Sequence, residues 1–64
     1  MKIYKCSLND LVQRIDHWTA RITMLEHDKE RNYKIGDCLM TSRIDTIDFG
    51  RGIIVTQNSI YQFK

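Results

Sequence analysis

Four side chains of the kinds that bind zinc are spread along the 64-residue chain: Cys6, His17, His27 and Cys38. Zinc sites in small domains hold such ligands in close pairs, Cys-x-x-Cys or His-x3–5-His, and neither pair occurs here. If the two histidines shared one helix, their separation would place them about 280° apart around its axis, so they could not converge on one ion. The sequence therefore predicts no metal and no other cofactor.

The same cysteines and histidines could supply a nucleophile and a base, because a neighbouring imidazole activates a thiol. No local motif supports such a pair, and the carboxylates on either side of His27 lie in a polar stretch where they would be hydrated. Gly50-Arg51-Gly52 lacks the third glycine and the following helix of a phosphate-binding loop, so it predicts a turn. We predict no catalytic residues and no enzymatic activity.

Ten Lys and Arg against eight Asp and Glu leave a formal net charge of +2, which is too small to require a nucleic-acid partner. An alternative hypothesis is still a small nucleic-acid-binding module whose cations contact phosphates while Tyr33 or Tyr61 stacks on bases. The cations that would do so are Arg14, Arg21, Lys34, Arg43 and Arg51. Acids are interspersed among them, so weak and salt-sensitive binding is expected.

Apolar residues in the first half of the chain recur at spacings of 3, 4, 3, 4 and 3: Leu8, Leu11, Ile15, Trp18, Ile22 and Leu25. This spacing is typical of an amphipathic helix, and no Gly or Pro interrupts it. We expect one uninterrupted helix from residue 8 to about residue 28. A short strand over residues 2–6 should precede the helix, and Ser7 should be the N-terminal cap of the helix.

The second half of the chain changes to a pattern typical of strands. Residues 38–44, 53–56 and 60–63 are expected as an antiparallel β meander, with a turn or irregular loop over 45–52 and a tight turn at 57–59. With the long helix covering one face, the predicted fold class is α+β. A chain of this length predicts a single small domain over residues 1–64.

The segment Ile35-Gly36-Asp37-Cys38-Leu39, followed by Gly50-Arg51-Gly52-Ile53-Ile54-Val55, resembles the Gly-Asp and Gly-x-Gly-hydrophobic pattern of KOW-type SH3-like small barrels. The resemblance covers residues 34–55, about a third of the chain. It implies a module that binds RNA, DNA or a transcription protein and that carries no catalytic residues. Whether the β half is an open meander or part of such a barrel stays open at this point.

The predicted helix is long for the sheet beneath it. Over residues 8–31 it would measure about 36 Å, whereas strands of 5–6 residues span about 17–20 Å. Its far end would need a cover, and aromatic and Arg side chains are common anchors at interfaces. We therefore expect a partner-binding surface made by Trp18, Arg21, Ile22 and Leu25. A second copy is the simplest cover, so a homodimer through the helix is expected.

Composition narrows the class of protein further. A hydrophobic content of 42% with 28% charged residues is typical of a globular domain. No apolar run is long enough for a transmembrane helix, and the basic start lacks the apolar stretch of a signal peptide. Two cysteines in such a chain are expected to be free thiols of a cytoplasmic protein. The frequent Ile and Lys residues suggest A+T-rich codons, which are typical of some bacteria and phages. The prediction is a small non-enzymatic regulator, inhibitor or adaptor of another protein.

Overall fold

The structure, a computed structural model, describes residues 2–64 as six β-strands, with no α-helix among them. The strands are β1 (Lys2–Gln13), β2 (Trp18–Met24), β3 (Cys38–Met40), β4 (Ile44–Asp48), β5 (Ile53–Thr56) and β6 (Ser59–Gln62). The predicted α+β class is therefore wrong, because the protein is all-β. The described residues include no helix of the length and apolarity that crossing a membrane requires.

The segment predicted as one helix forms the second half of β1, a loop over residues 14–17, and β2. In β2 the sequence Trp-Thr-Ala-Arg-Ile-Thr-Met alternates apolar and polar side chains, which is the period of a strand. Three of its seven residues are β-branched, and these favour a pleated surface over a helix. Ile15, which the helical stripe required, is fully exposed in the loop.

A β-bulge explains why a helical spacing occurs within a strand. The antiparallel register between β1 and β2 shifts at Asn9, so that Leu8 lies opposite Ile22 and Leu11 lies opposite Ala20. The extra residue lets Leu8 and Leu11 pack against the same core although they are three positions apart. The bulge thus gives the strand the three-residue spacing of apolar side chains with which the helical pattern begins.

The first strand changes partner along its length. Residues 2–5 pair in parallel with β6, and residues 6–13 pair antiparallel with β2. The complete strand order is β3-β2-β1-β6-β5-β4, so β3 and β4 are the two edges of the sheet. In a flat sheet these edges would lie about 24 Å apart, whereas the three residues that join them span at most about 14 Å. The sheet consequently curls until β4 lies beside β2.

Two of the three strands predicted in the second half of the chain are present. The third, over residues 38–44, is wrong, because β3 ends at Met40 and Ile44 begins β4. The strand expected over residues 53–56 is β5, and the last expected strand overlaps β6. The expected loop over 45–52 is wrong for its first half, because residues 45–48 belong to β4. The turn after β4 requires Gly52, whose φ is +70° and whose position would bring a Cβ into overlap with Lys64.

The inner face of the curled sheet carries the hydrophobic core. Its buried members are Tyr4, Cys6, Ala20, Ile22, Met24, Ile54 and Tyr61. The rings of Tyr4 and Tyr61 stack with their centroids 5.6 Å apart, and Tyr33 meets Tyr4 edge-on at 5.8 Å. These three rings form an aromatic cluster within and against the core.

Candidate functional site

A cleft of about 290 Å³ opens where the curled sheet brings β4 next to the β1–β2 hairpin. We call it the seam, and its lining residues are Leu11, Trp18, Ile44, Asp45, Thr46 and Ile47. Two of the three strands that form it, β1 and β4, contain an irregular register at this point, at Asn9 and at Asp45. Such bulges strengthen the local twist, which is what folds the two parts of the sheet toward each other.

One wall of the seam is formed by four consecutive residues of β4, from Ile44 to Ile47. The irregularity at Asp45 places both Ile44 and Ile47 on the inner face, whereas Thr46 lies on the outer face beside Val55. A cleft that touches residues of both faces runs along the edge of the strand. That edge is free: β4 pairs with β5 on one side, and on its other side no strand of residues 2–64 pairs with it. The seam therefore presents unpaired backbone groups together with apolar side chains.

The opposite wall of the seam carries Trp18, the only tryptophan of the chain. Its side chain is 46% exposed although it lies on the inner face of β2, in line with buried Ile22. Leu11 lies beside it in the cleft and packs against the core. A half-exposed indole above an apolar floor is the kind of surface that a partner side chain can cover.

The four residues expected to form one partner-binding surface lie on two opposite sides of β2. Trp18 and Ile22 lie on the inner face of β2, and Ile22 is completely buried in the core. Arg21 and Leu25 lie on the outer side, where Arg21 is 3.7 Å from a carboxylate oxygen of Asp10. Only Trp18 reaches the seam, and the helical surface that should have joined the four does not exist.

The five cations of the nucleic-acid hypothesis do not form one patch either. Arg21 and Arg51 each lie within 4.0 Å of an aspartate, Asp10 and Asp48 respectively. The pKa of Asp16 is lowered mainly by its hydrogen bond with His17 and, to a smaller extent, by the nearby Arg43. Lys34 and Arg14 lie in different loops, in the segment after β2 and in the loop after β1.

The two tyrosines proposed for base stacking are partly or wholly enclosed. Tyr61 is 6% exposed in the core, and Tyr33 is half-buried against the ring of Tyr4. Burial also raises the pKa of Tyr61, because the phenolate would lose its hydration. Tyr61 is therefore too enclosed for base stacking, and Tyr33 is already packed against Tyr4.

Two other concavities are less suited to bind a ligand. The largest, of about 650 Å³, is lined only by the five consecutive residues 13–17, so no second element contributes a wall. A third, of about 260 Å³, lies against Lys5, Cys6 and Leu25. Burial raises the pKa of the Cys6 thiol to about 11, so the thiol is neutral near pH 7 and a weak nucleophile.

The seam contains residues that sequence reasoning missed. Ile44, Thr46 and Ile47 were assigned to a strand end and a loop because of the aspartates and glycines around them. The available signal was the β-branched content of the stretch, with apolar residues three apart, as at Leu8 and Leu11 in the other bulged strand.

Comparison of the chain with protein-family models, with curated proteins and with solved structures finds no match. The function is therefore inferred from the geometry of the site.

Proposed function

We propose that this protein is a small binding protein that regulates, inhibits or adapts another protein by accepting an extended segment of that partner in the seam. The observation that carries the proposal is the run of four consecutive β4 residues along one wall of the cleft. An extended segment placed there would pair with the part of the β4 edge that does not contact β2, and would use the unpaired backbone groups of that part. This strand addition is a recurrent mode of peptide recognition.

The side chains of the seam would supply the selectivity that backbone pairing lacks. Trp18 and Leu11 form an apolar wall, and the half-buried Ile47 faces them from β4. An apolar side chain of the partner segment fits between these walls, where it would cover the exposed part of the indole. Asp45 is the one charged residue of the lining, so a basic residue next to the apolar one is favoured.

The experiment is a selection of phage-displayed random dodecapeptides against the protein, followed by fluorescence anisotropy with the best labelled peptide. The Trp18→Ala variant should bind that peptide at least about tenfold more weakly, since truncation of an interface hot spot costs about 2 kcal/mol or more. Phe49→Ala is the matched control, because Phe49 is 54% exposed but lies outside the seam. Its affinity should equal that of the wild type.

Hydrogen exchange gives the second measurement. Backbone amides of β4 should become protected when the selected peptide binds, because an added strand pairs with them. Equal losses of affinity in the two variants, a selection without binders, or protection confined to other strands would each contradict the proposal.

The nucleic-acid alternative has less support. Three of its five cations have an aspartate close by, and the other two lie in separate loops, so few phosphates could be neutralised at once. The resemblance of residues 34–55 to KOW-type barrels stays a prediction, as does the absence of enzymatic activity. A cytoplasmic location belongs to the proposal and fits the free thiols of Cys6 and Cys38.

A further inference from the structure

The outer face of the β1-β6-β5-β4 part of the sheet carries a row of β-branched residues. Ile3, Ile60, Val55 and Thr46 are direct neighbours in register across these four strands. Ile3 is 55% exposed and the next two are half-buried. The row lies on the face opposite to Tyr4, Tyr61 and Ile54, which belong to the core.

A second row of residues lies beside the first, with a positive charge at one end and a negative charge at the other. Lys5, Gln62, Ile53 and Asp48 are neighbours in register on the same four strands. Lys5 and Asp48 are three strand spacings apart, about 14 Å, so they cannot pair within one chain. Among the described residues no carboxylate lies within ion-pair distance of Lys5 Nζ, and the nearby Glu26 carboxylate accepts a hydrogen bond from the Lys5 backbone N–H at 3.2 Å. Asp48 has only the exposed Arg51 at 3.9 Å.

We propose that this outer face is the interface of a homodimer, with the two sheets packed face to face about a two-fold axis parallel to the strands. Such an axis reverses the order of the four strands in the second copy. Lys5 of one copy then lies over Asp48 of the other, and the reverse pair forms at the other end. In the first row Ile60 meets Val55 of the second copy, so apolar residues cover one another.

The charge pattern is what selects a second copy over an unrelated partner. A face with one positive and one negative end is complementary to itself only when the strand order is reversed, which is the arrangement that a two-fold axis produces. Four short strands make a smaller surface than the roughly 800 Å² per partner of a standard interface. The expected dimer is therefore a reversible one whose population depends on protein concentration.

The test is sedimentation equilibrium over a range of protein concentrations, at low salt, on the wild type and two charge variants. Lys5→Asp and Asp48→Lys should each be monomeric, because each places like charges opposite one another at both ends of the interface. An equimolar mixture of the two should form a heterodimer, because both end pairs are then again of opposite sign. Gln57→Lys, on an exposed turn outside the face, should dimerise as the wild type does.

Asp48 also accepts a hydrogen bond from the backbone N–H of Arg51, so its variant is checked for folding by circular dichroism. Ile60→Glu is an independent variant that leaves this turn intact and places two charges near the axis. It should lower the association constant at least tenfold. A wild type that stays monomeric, or an Ile60→Glu variant that still dimerises, would overturn the proposal.

The dimer and the seam can be tested separately. Trp18→Ala should sediment as the wild type does, because Trp18 lies on the inner face and does not belong to the two rows. If Trp18→Ala instead became monomeric, the copies would be joining through the seam and the outer-face interface would be wrong. Loss of peptide binding with dimerisation intact would leave this proposal standing.

Discussion

The two thiols of this protein differ in their burial. Cys6 is 2% exposed in the core and has its pKa raised to about 11 by desolvation, whereas Cys38 is exposed at the edge strand β3. The unfolded thiol releases its proton near pH 9.0 and the folded one only near 11. Between these values the unfolded state holds fewer protons than the folded state, so Cys6 makes stability decrease as pH rises.

We expect the free energy of unfolding to fall between about pH 9 and about pH 11 in urea titrations. Burial raises the pKa of Tyr4 and Tyr61 as well, so these groups act in the same direction at the upper end of the range. The Cys6→Ala variant should lose less stability over this interval than the wild type, while Cys38→Ala should match the wild type. An identical decline in all three proteins would show that the Cys6 thiol does not contribute.

At the scale of the elements, the bulge in β1 decides which side chains reach the core. Removing Asn9 restores a regular ladder in which Leu8 and Leu11 still share a face, because the deletion shortens their spacing from three to two. The loss includes the hydrogen bond from Asn9 to Thr23 Oγ1, 2.9 Å long, worth about 1 kcal/mol. The variant without Asn9 should therefore fold.

Deletion of Ser7 is the matched control, since it also removes one residue from β1 but away from the bulge. The bulge absorbs this deletion, so Cys6 stays opposite Met24 and Leu11 stays opposite Ala20, but Leu8 turns outward and Asn9 takes its place opposite Ile22. The variant loses the burial of Leu8, about 1.5–3 kcal/mol, and places a polar amide in the core. A domain of this size has only about 3–10 kcal/mol of stability. Thermal melting followed by far-ultraviolet circular dichroism should show a lower midpoint without Ser7 than without Asn9, and the opposite order would contradict the register.

For the whole molecule, the connection over residues 41–43 holds the seam together. Thr41 fastens this link to β2, because its Oγ1 accepts the Ala20 N–H at 2.9 Å and its own N–H donates to the Ala20 carbonyl at 2.8 Å. Ser42 and Arg43, in contrast, are exposed. The two edges of the sheet are thus joined by a very short segment of chain, and its length limits how far the seam can open.

Inserting Gly-Ser-Gly between Ser42 and Arg43 should widen the seam at small cost. Doubling the length of a loop costs only about 0.6 kcal/mol in closure entropy. Acrylamide quenching of Trp18 fluorescence should increase, because the indole loses its neighbours on β4. The same insertion between Lys29 and Glu30 lengthens an exposed loop after β2, at the opposite end of that strand from Trp18, and should leave quenching unchanged. Equal quenching in both variants would mean that the connection does not control the cleft.

The sequence was informative wherever structure depended on neighbours in the chain. The β-branched run Ile53–Thr56 and the turn after it predicted β5 and the start of β6, because propensity and turn chemistry act over a few residues. The alternation in Trp18–Met24 was equally visible, but the helical spacing was preferred. Of the four residues predicted for a partner-binding surface, only Trp18 lines the seam.

Tertiary structure alone decided the remaining features. The parallel pairing of residues 2–5 with β6 joins opposite ends of the chain, and the seam places Trp18 against Ile47; neither contact leaves a local pattern. Core-facing residues of a regular strand are two positions apart in the sequence, and a single bulge increases that spacing to three. The sequence thus determined the type, number and order of the side chains. Whether the apolar residues formed a helical stripe or a bulged strand depended on which distant strands were available to bury them.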